Sequence, residues 1–210
     1  INADINGTPV SSTLPTVIVT PGPASPTTSI ISVSSATVSS GNTVTLSLQA
    51  RDAAGNNLVT GGATVTFART GGTSTGNISA TTDGNNGSYS AVFTGVLAGT
   101  ATNITATIGG SAVTTGNPTV TVTPGMISPA NSTIAVSNAS VASGSSVTVT
   151  LTARDAAGNA LTGGGSTVVF NRSGGTSTGN FGAVVDNLNG TYSASFTGIV
   201  SGTATTIGAT

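Results

Sequence analysis

Any chemistry in this chain has to come from very few side chains. The charged residues are four arginines and five aspartates, and histidine, cysteine, lysine and glutamate are absent. The usual repertoire for acid/base chemistry, nucleophile activation and metal ligation is therefore nearly empty. Gly71-Gly-Thr-Ser-Thr-Gly76 has the glycine spacing of a phosphate-binding loop, and Gly174 to Gly179 repeats it, but Asn77 and Asn180 stand where the cradle needs a lysine. Ser74 also sits at the centre of a nucleophile-elbow pattern, and without histidine that triad has no base. Both patterns are expected to be loops between strands.

Asp83-Gly-Asn-Asn-Gly87 and Asp186-Asn-Leu-Asn-Gly190 resemble pieces of calcium loops. Calcium gathers six to eight oxygens, usually with several acidic ligands, and Asp83 and Asp186 each offer a single carboxylate. They are the metal candidates, and tight turns are the expected outcome; no metal or cofactor is expected. Asp52 and Asp155, after Arg51 and Arg154, are expected to be Asx-turn residues beside solvated arginines. A sugar-cleaving site would need two carboxylates about 5–10 Å apart, and each repeat supplies only two aspartates, both in turn motifs. The chain is expected not to be an enzyme. Tyr89 and Tyr192 each lie two residues after a turn glycine, the placement of a tyrosine corner whose hydroxyl caps backbone groups. Asn-x-Ser/Thr sequons place possible glycan acceptors at Asn77, Asn86, Asn131 and Asn189, among others, where glycans could supply the solubility that charge does not.

The elements that position these residues repeat without a gap. Pro15 and Pro118, Arg51 and Arg154, Phe67 and Phe170, Tyr89 and Tyr192, and Phe93 and Phe196 are all 103 residues apart. The sequence reads as a window on a tandem array. Thr43 to Ala50 alternates polar and apolar residues, putting Val44, Leu46 and Leu48 on one face of a strand. The alternation recurs at Thr64–Phe67, Ser88–Phe93, Asn103–Ile108 and Pro118–Thr123, with Gly, Asn and Asp turns between. With an opening strand near Ser29–Val33, about seven strands per unit predict an all-β chain of two-sheet sandwiches, a barrel being the alternative. The predicted core is Val44, Leu46, Leu48, Val65, Phe67, Ala91, Phe93, Ile104, Ala106, Val120 and Val122, with partners one repeat on. Prolines at Thr20–Pro26 and Thr123–Pro129 mark short semi-rigid linkers, so neighbouring units are expected to form an extended rod. The expected division is a closing segment of a preceding repeat plus linker over 1–25, a complete sandwich over 26–125, and a second sandwich over 126–210 lacking its final strand.

Net charge is −1. That leaves no basic track for nucleic acid, and the apolar runs are too short and too interrupted by Thr and Ser for a membrane helix.

The run from Val44 through Arg51-Asp-Ala-Ala-Gly-Asn56, followed by Asp83-Gly-Asn-Asn-Gly-Ser-Tyr-Ser-Ala-Val-Phe-Thr-Gly95, resembles the immunoglobulin-like repeats of bacterial invasin/intimin-type surface proteins, and more distantly filamin repeats. The Gly-x-Tyr-x-x-x-Phe element returns at Gly190 to Phe196. The resemblance implies immunoglobulin-like sandwiches, a secreted or cell-surface location and no catalytic residue. The expected function is the shaft of a surface stalk or filament, with neighbouring repeats or copies as partners. The alternative is adhesin repeats that bind a host, glycan or mineral surface.

The phase of the repeat carries a further expectation. The complete unit is expected to use Ser111–Thr123 as its last strand, and the unit stopping at Thr210 lacks that segment. The head of the chain, Thr8 to Thr20, has the same phase. Thr8, Val10, Leu14, Val17 and Val19 are therefore expected to form an assembly strand, belonging to a previous domain or donated to a neighbouring copy.

Overall fold

The computed structural model describes residues 3–13 and 15–210. Among them there is no helix, as the alternating threonine and valine pattern requires. The head folds as a small hairpin of β1 (Asp4–Ile5) and β2 (Thr8–Pro9). Asn6 and Gly7 turn it with φ of 52° and 80°, the pair of positive values a two-residue turn of this hand needs. Thr8, expected in an extended assembly strand, thus pairs back on Ile5 instead.

The first unit contains β3 (Ile30–Val33), β4 (Thr37–Ser39), β5 (Thr43–Gln49), β6 (Val65–Thr70), β7 (Thr75–Ile78), β8 (Thr82–Asp83), β9 (Ser88–Leu97), β10 (Thr102–Ile108), β11 (Ser111–Ala112) and β12 (Thr119–Thr123). One sheet runs β3-β5-β9-β7, with β8 also on β9; the other places β10 between β6 and the pair β11 and β12, and β4 lies beyond β12. Every pairing is antiparallel except β12 with β4. Val44, Leu46 and Leu48 of β5 stand opposite Phe93, Ala91 and Tyr89 of β9. These residues face Val65, Phe67, Ile104, Ala106, Val120 and Val122 of the second sheet in one buried core. All the predicted first-unit core positions are buried.

One expected element is divided. Ser111–Thr123 does not make a single strand, because Val113 turns into the core, Gly116 takes φ of 118° and Pro118 lacks the donor a ladder would use. Only Thr119–Thr123 closes the sandwich.

The second unit repeats the first sheet as β13 (Thr133–Val136), β14 (Ser146–Thr152), β16 (Thr178–Phe181), β17 (Val185–Asp186) and β18 (Thr191–Val200). Among the described residues its second sheet is β15 (Phe170–Ser173) paired with β19 (Thr206–Ala209). Its core partners follow from that. Val149, Leu151, Phe170, Ala194 and Phe196 are buried as predicted, whereas Val147, Val168, Ile207 and Ala209 are half-buried, and among the described residues no segment stands where β12 and Val113 join the core of the first unit. Phe181, in place of Ile78, stacks between Phe170 and Phe196 at centroid distances of 5.9 and 5.0 Å and fills part of the space.

Candidate functional site at the unit boundary

The residues with the densest polar contacts lie where one unit meets the next. Asp155 is buried, and its Oδ1 accepts the backbone N–H groups of Ala157 and Asn159 at 2.9 Å each, the expected Asx turn. Its second oxygen does something the turn pattern does not announce: Oδ2 accepts the N–H of Gly125, in the linker, at 2.8 Å. Asn159 completes the joint. Its Nδ2 donates to Asp155 Oδ2 and to the carbonyl of Val96, both at 2.8 Å, and its Oδ1 accepts the N–H of Ala98 at 2.9 Å. One side chain thus ties the entry turn of the second unit to the end of β9 in the first.

The same parts recur one repeat earlier. Gly22 donates its N–H to Asp52 Oδ2 at 3.0 Å, and Asn56 Nδ2 donates to the same carboxylate at 2.9 Å. Hydrogen bonds from the Asn56 side chain and the Gly22 N–H hold the Asp52 carboxyl down at about 2. Burial pushes Asp155 up, and the donors from Gly125, Asn159 and Ala157 together outweigh it, so it too lies below its ordinary value. Arg51 is only half-exposed, its Nε donating to Asn57 Oδ1, and Arg154 Nη1 donates to the carbonyl of Gly158.

The closing strand is the second feature of this region. In the first unit the Val122 N–H donates to Ser74 Oγ at 2.9 Å, Gly99 N–H to the Val122 carbonyl at 3.1 Å, Thr121 N–H to Ala36 at 2.9 Å, and Ser40 N–H to Thr123 at 2.8 Å. Ser74, formally the elbow serine, is fully buried and anchors this strand. The glycines of this segment are likewise structural, Gly72 in the loop and Gly76 already within β7, so the segment expected as a loop ends in a strand. A Cβ on Gly76 would lie 2.4 Å from the Phe93 ring, and one on Gly72 would lie 2.0 Å from the Ala101 carbonyl.

In the second unit the corresponding space is an open groove of about 370 Å³, lined by Val136, Val141, Val147, Ser177, Phe196 and Ile207 among others. These six are the counterparts, 103 residues on, of Val33, Val38, Val44, Ser74, Phe93 and Ile104. At the other end of the chain Val17, Ile18 and Val19 are 70%, 86% and 87% exposed. Val10 is half-exposed, and Leu14 lies outside the described residues.

The remaining sequence candidates are turn and strand residues. Asp83 accepts the N–H groups of Gly62 and Asn85 at 2.7 and 2.8 Å, and Asp186 those of Gly165 and Leu188 at 2.6 and 2.8 Å. Each carboxylate holds together two chain segments, and among the described residues no third acidic, His or Cys group joins either. The tyrosine corners take a definite form: Tyr89 Oη accepts the N–H of Ala63, and Tyr192 Oη that of Ser166, both at 3.0 Å. Asn86 and Asn189 are exposed in turns, Asn77 is exposed within β7 rather than a loop, and the Nδ2 of Asn131 donates to the carbonyls of Asp155 and Ala156.

Sequence reasoning missed the linker half of the Asp52 and Asp155 contacts, the span of Asn159 and the strand anchor Ser74. Each pair shares a repeat phase, which marks it as structural, but nothing local in the sequence says what lies across from it.

Two sheets, antiparallel but for the parallel pairing of β12 with β4, packed over a single core with tyrosine corners and a closing edge strand define an immunoglobulin-like sandwich. Residues 25–125 and 128–210 both match the family model described as Invasin, domain 3, and the chain belongs to that family. It is similar to the solved structure of FdeC, titled a broadly conserved Escherichia coli adhesin, at 28% identity and a TM-score of 0.58, covering 93% of this chain and 63% of that one. It also resembles the crystal structure of invasin, titled a bacterial integrin-binding protein, at 22% identity and a TM-score of 0.55, over 99% of this chain and 41% of that one. The chain thus spans less than two thirds of both structures. No match was found among curated protein sequences.

Proposed function

We propose that this chain is a non-catalytic, extracellular repeat segment forming the shaft of a surface stalk or filament, secreted or held at the cell surface. The observation that carries the proposal is the unit boundary, where Asp155 and Asn159 hold the linker and the end of the preceding sandwich together. A freely jointed tether has no use for a buried carboxylate and a bridging amide at the joint between its units, whereas a shaft that must keep its direction does. End-to-end joining through the closing strand extends the same reading to separate copies.

The test is small-angle scattering on the double variant Asp155→Ala/Asn159→Ala. Its maximum dimension and flexibility are expected to change while circular dichroism keeps the sandwich signature. Scattering identical to the parent chain would overturn the reading.

The likeness to FdeC favours a second reading, adhesin repeats that contact a host, glycan or mineral surface. It has less support from the side chains. Six of the seven aromatics, Phe67, Tyr89, Phe93, Phe170, Tyr192 and Phe196, are buried, and Phe181 is half-buried. No aromatic patch is left to stack on a ligand. Binding of the purified chain to a glycan array or to cultured cells, lost when the chain is unfolded, would favour the second reading over the first.

A further inference from the structure

The open groove of the second unit and the exposed valines of the head are two halves of a contact that the chain already makes once within itself. We propose that a second copy of this chain seats Pro15–Thr20 in the groove as its closing strand, and that Asn56 of that copy then clamps onto Ile199 and Ser201. The proposal deepens the shaft reading and rests on it.

The internal precedent is close. Pro15-Thr-Val-Ile-Val-Thr20 and Pro118-Thr-Val-Thr-Val-Thr123 differ at one position, Ile18 against Thr121. In the first unit Val120 and Val122 of this sequence are fully buried against the counterparts of the groove residues. Set in the same phase, Val17 and Val19 fill the space beside Val141, Val147, Phe196 and Ile207. The polar partners are present too. Ser177 takes the place of Ser74 for the N–H of Val19, Gly202 that of Gly99 for its carbonyl, Ala139 that of Ala36 for the N–H of Ile18, and Ser143 that of Ser40 for the carbonyl of Thr20. The one differing residue falls at a half-buried position, where Thr121 sits in the first unit, and an added apolar side chain is tolerated there.

The connection beyond the strand is also reproduced. Thr123-Pro-Gly125 leads from β12 into the Asp155 clamp, and Thr20-Pro-Gly22 leads from the valines into the Asp52 clamp. A head seated in the groove therefore brings Asn56 to the end of β18, where Ile199 and Ser201 occupy the places of Val96 and Ala98. The joint between copies becomes a repeat of the joint between units. The head of the same molecule cannot serve, because Gly22 is held at the entry of the first unit and two residues of chain reach only about 7 Å, with a whole sandwich in between.

The experiment is sedimentation and negative-stain electron microscopy of the full 210-residue chain at increasing concentration. Concentration-dependent end-to-end chains are expected. Val17→Asp/Val19→Asp should remain monomeric, and since both valines are exposed the variant keeps its fold. A synthetic peptide of residues 13–24, added to that variant, should raise the melting temperature of the second unit and leave the first unchanged. Asn56→Ala should weaken association about tenfold, the loss expected for about two hydrogen bonds. A parent chain that stays monomeric, a Val17→Asp/Val19→Asp variant that still associates, or a peptide with no effect would each overturn the proposal. Any of these, with the Val96–Asn159 joint still rigid by scattering, leaves the shaft reading standing.

Discussion

Asp52 shows how much a turn aspartate can do. Four donors converge on it from its own turn and from the linker, so its carboxyl titrates near 2, below the roughly 3.9 of an unfolded chain. A depressed pKa means that ionisation stabilises the folded form, fully so above about pH 4, and that this stabilisation is lost as pH falls from there towards 2. Asp155 is shifted in the same direction. The chain should keep a constant melting temperature from neutral pH down to about 4 and lose it steeply below, and the Asp52→Asn variant should show a shallower acid limb in the same calorimetric series. Gly76 is a second residue whose pattern suggested chemistry and whose role is space. Its φ is ordinary, so the restriction is contact with the Phe93 ring and the Thr94 carbonyl. Gly76→Ala is expected to destabilise the first unit by about 1–3 kcal/mol in urea unfolding, the cost of overpacking. A neutral result would mean that the ring moves aside.

At the scale of elements, alternation was legible and termination was not. The pairing of β5 with β9 follows from period-two runs whose apolar residues have only one face to share, and Val44, Leu46, Leu48, Ala91 and Phe93 fall on it. The break within Ser111–Thr123 was harder to see, since threonine and valine continue on both sides and only Gly116-Asn-Pro118 interrupts them. The hairpin at Asp4–Pro9 was hidden for a related reason: its strands are two residues each, too short to show a period. The site was legible only as turn chemistry. An Asx turn predicts the acceptor used by its own backbone and says nothing of the second oxygen, which is free to take a donor from 30 residues away. Phe93→Ala should cost about 3–5 kcal/mol, as for other enclosed aromatics. Phe196→Ala should cost less, because its ring already borders the open groove; equal losses would show that the groove is closed in solution.

At the scale of the molecule, two units share one design, and among the described residues their cores are unequally covered. The first has its closing strand and a continuous core, while the second leaves Val147, Val168, Ile207 and Ala209 half-buried. Calorimetry of the monomeric Val17→Asp/Val19→Asp variant should resolve two transitions, the lower belonging to the second unit and moved by Phe196→Ala, the upper moved by Phe93→Ala. A single transition shifted by both would show that the Asp155 and Asn159 joint couples the units into one cooperative block.

The parallel pairing of β4 with β12 sets how such a chain answers to tension. β4 lies near the entry of the first sandwich and β12 at its exit, so pulling the two ends apart slides these strands lengthwise past each other. The hydrogen bonds from Thr121 to Ala36 and from Ser40 to Thr123 are then strained together, where a hairpin pulled open at its mouth would release them in turn. Rupture under load is governed by the height of the unfolding barrier, and shearing several bonds at once raises it. In single-molecule stretching the first sandwich should yield at higher force than a variant carrying Val122→Asp, which loosens the strand that bears the load. A tether anchored at a surface and pulled by flow would meet that resistance at every closed repeat along its length.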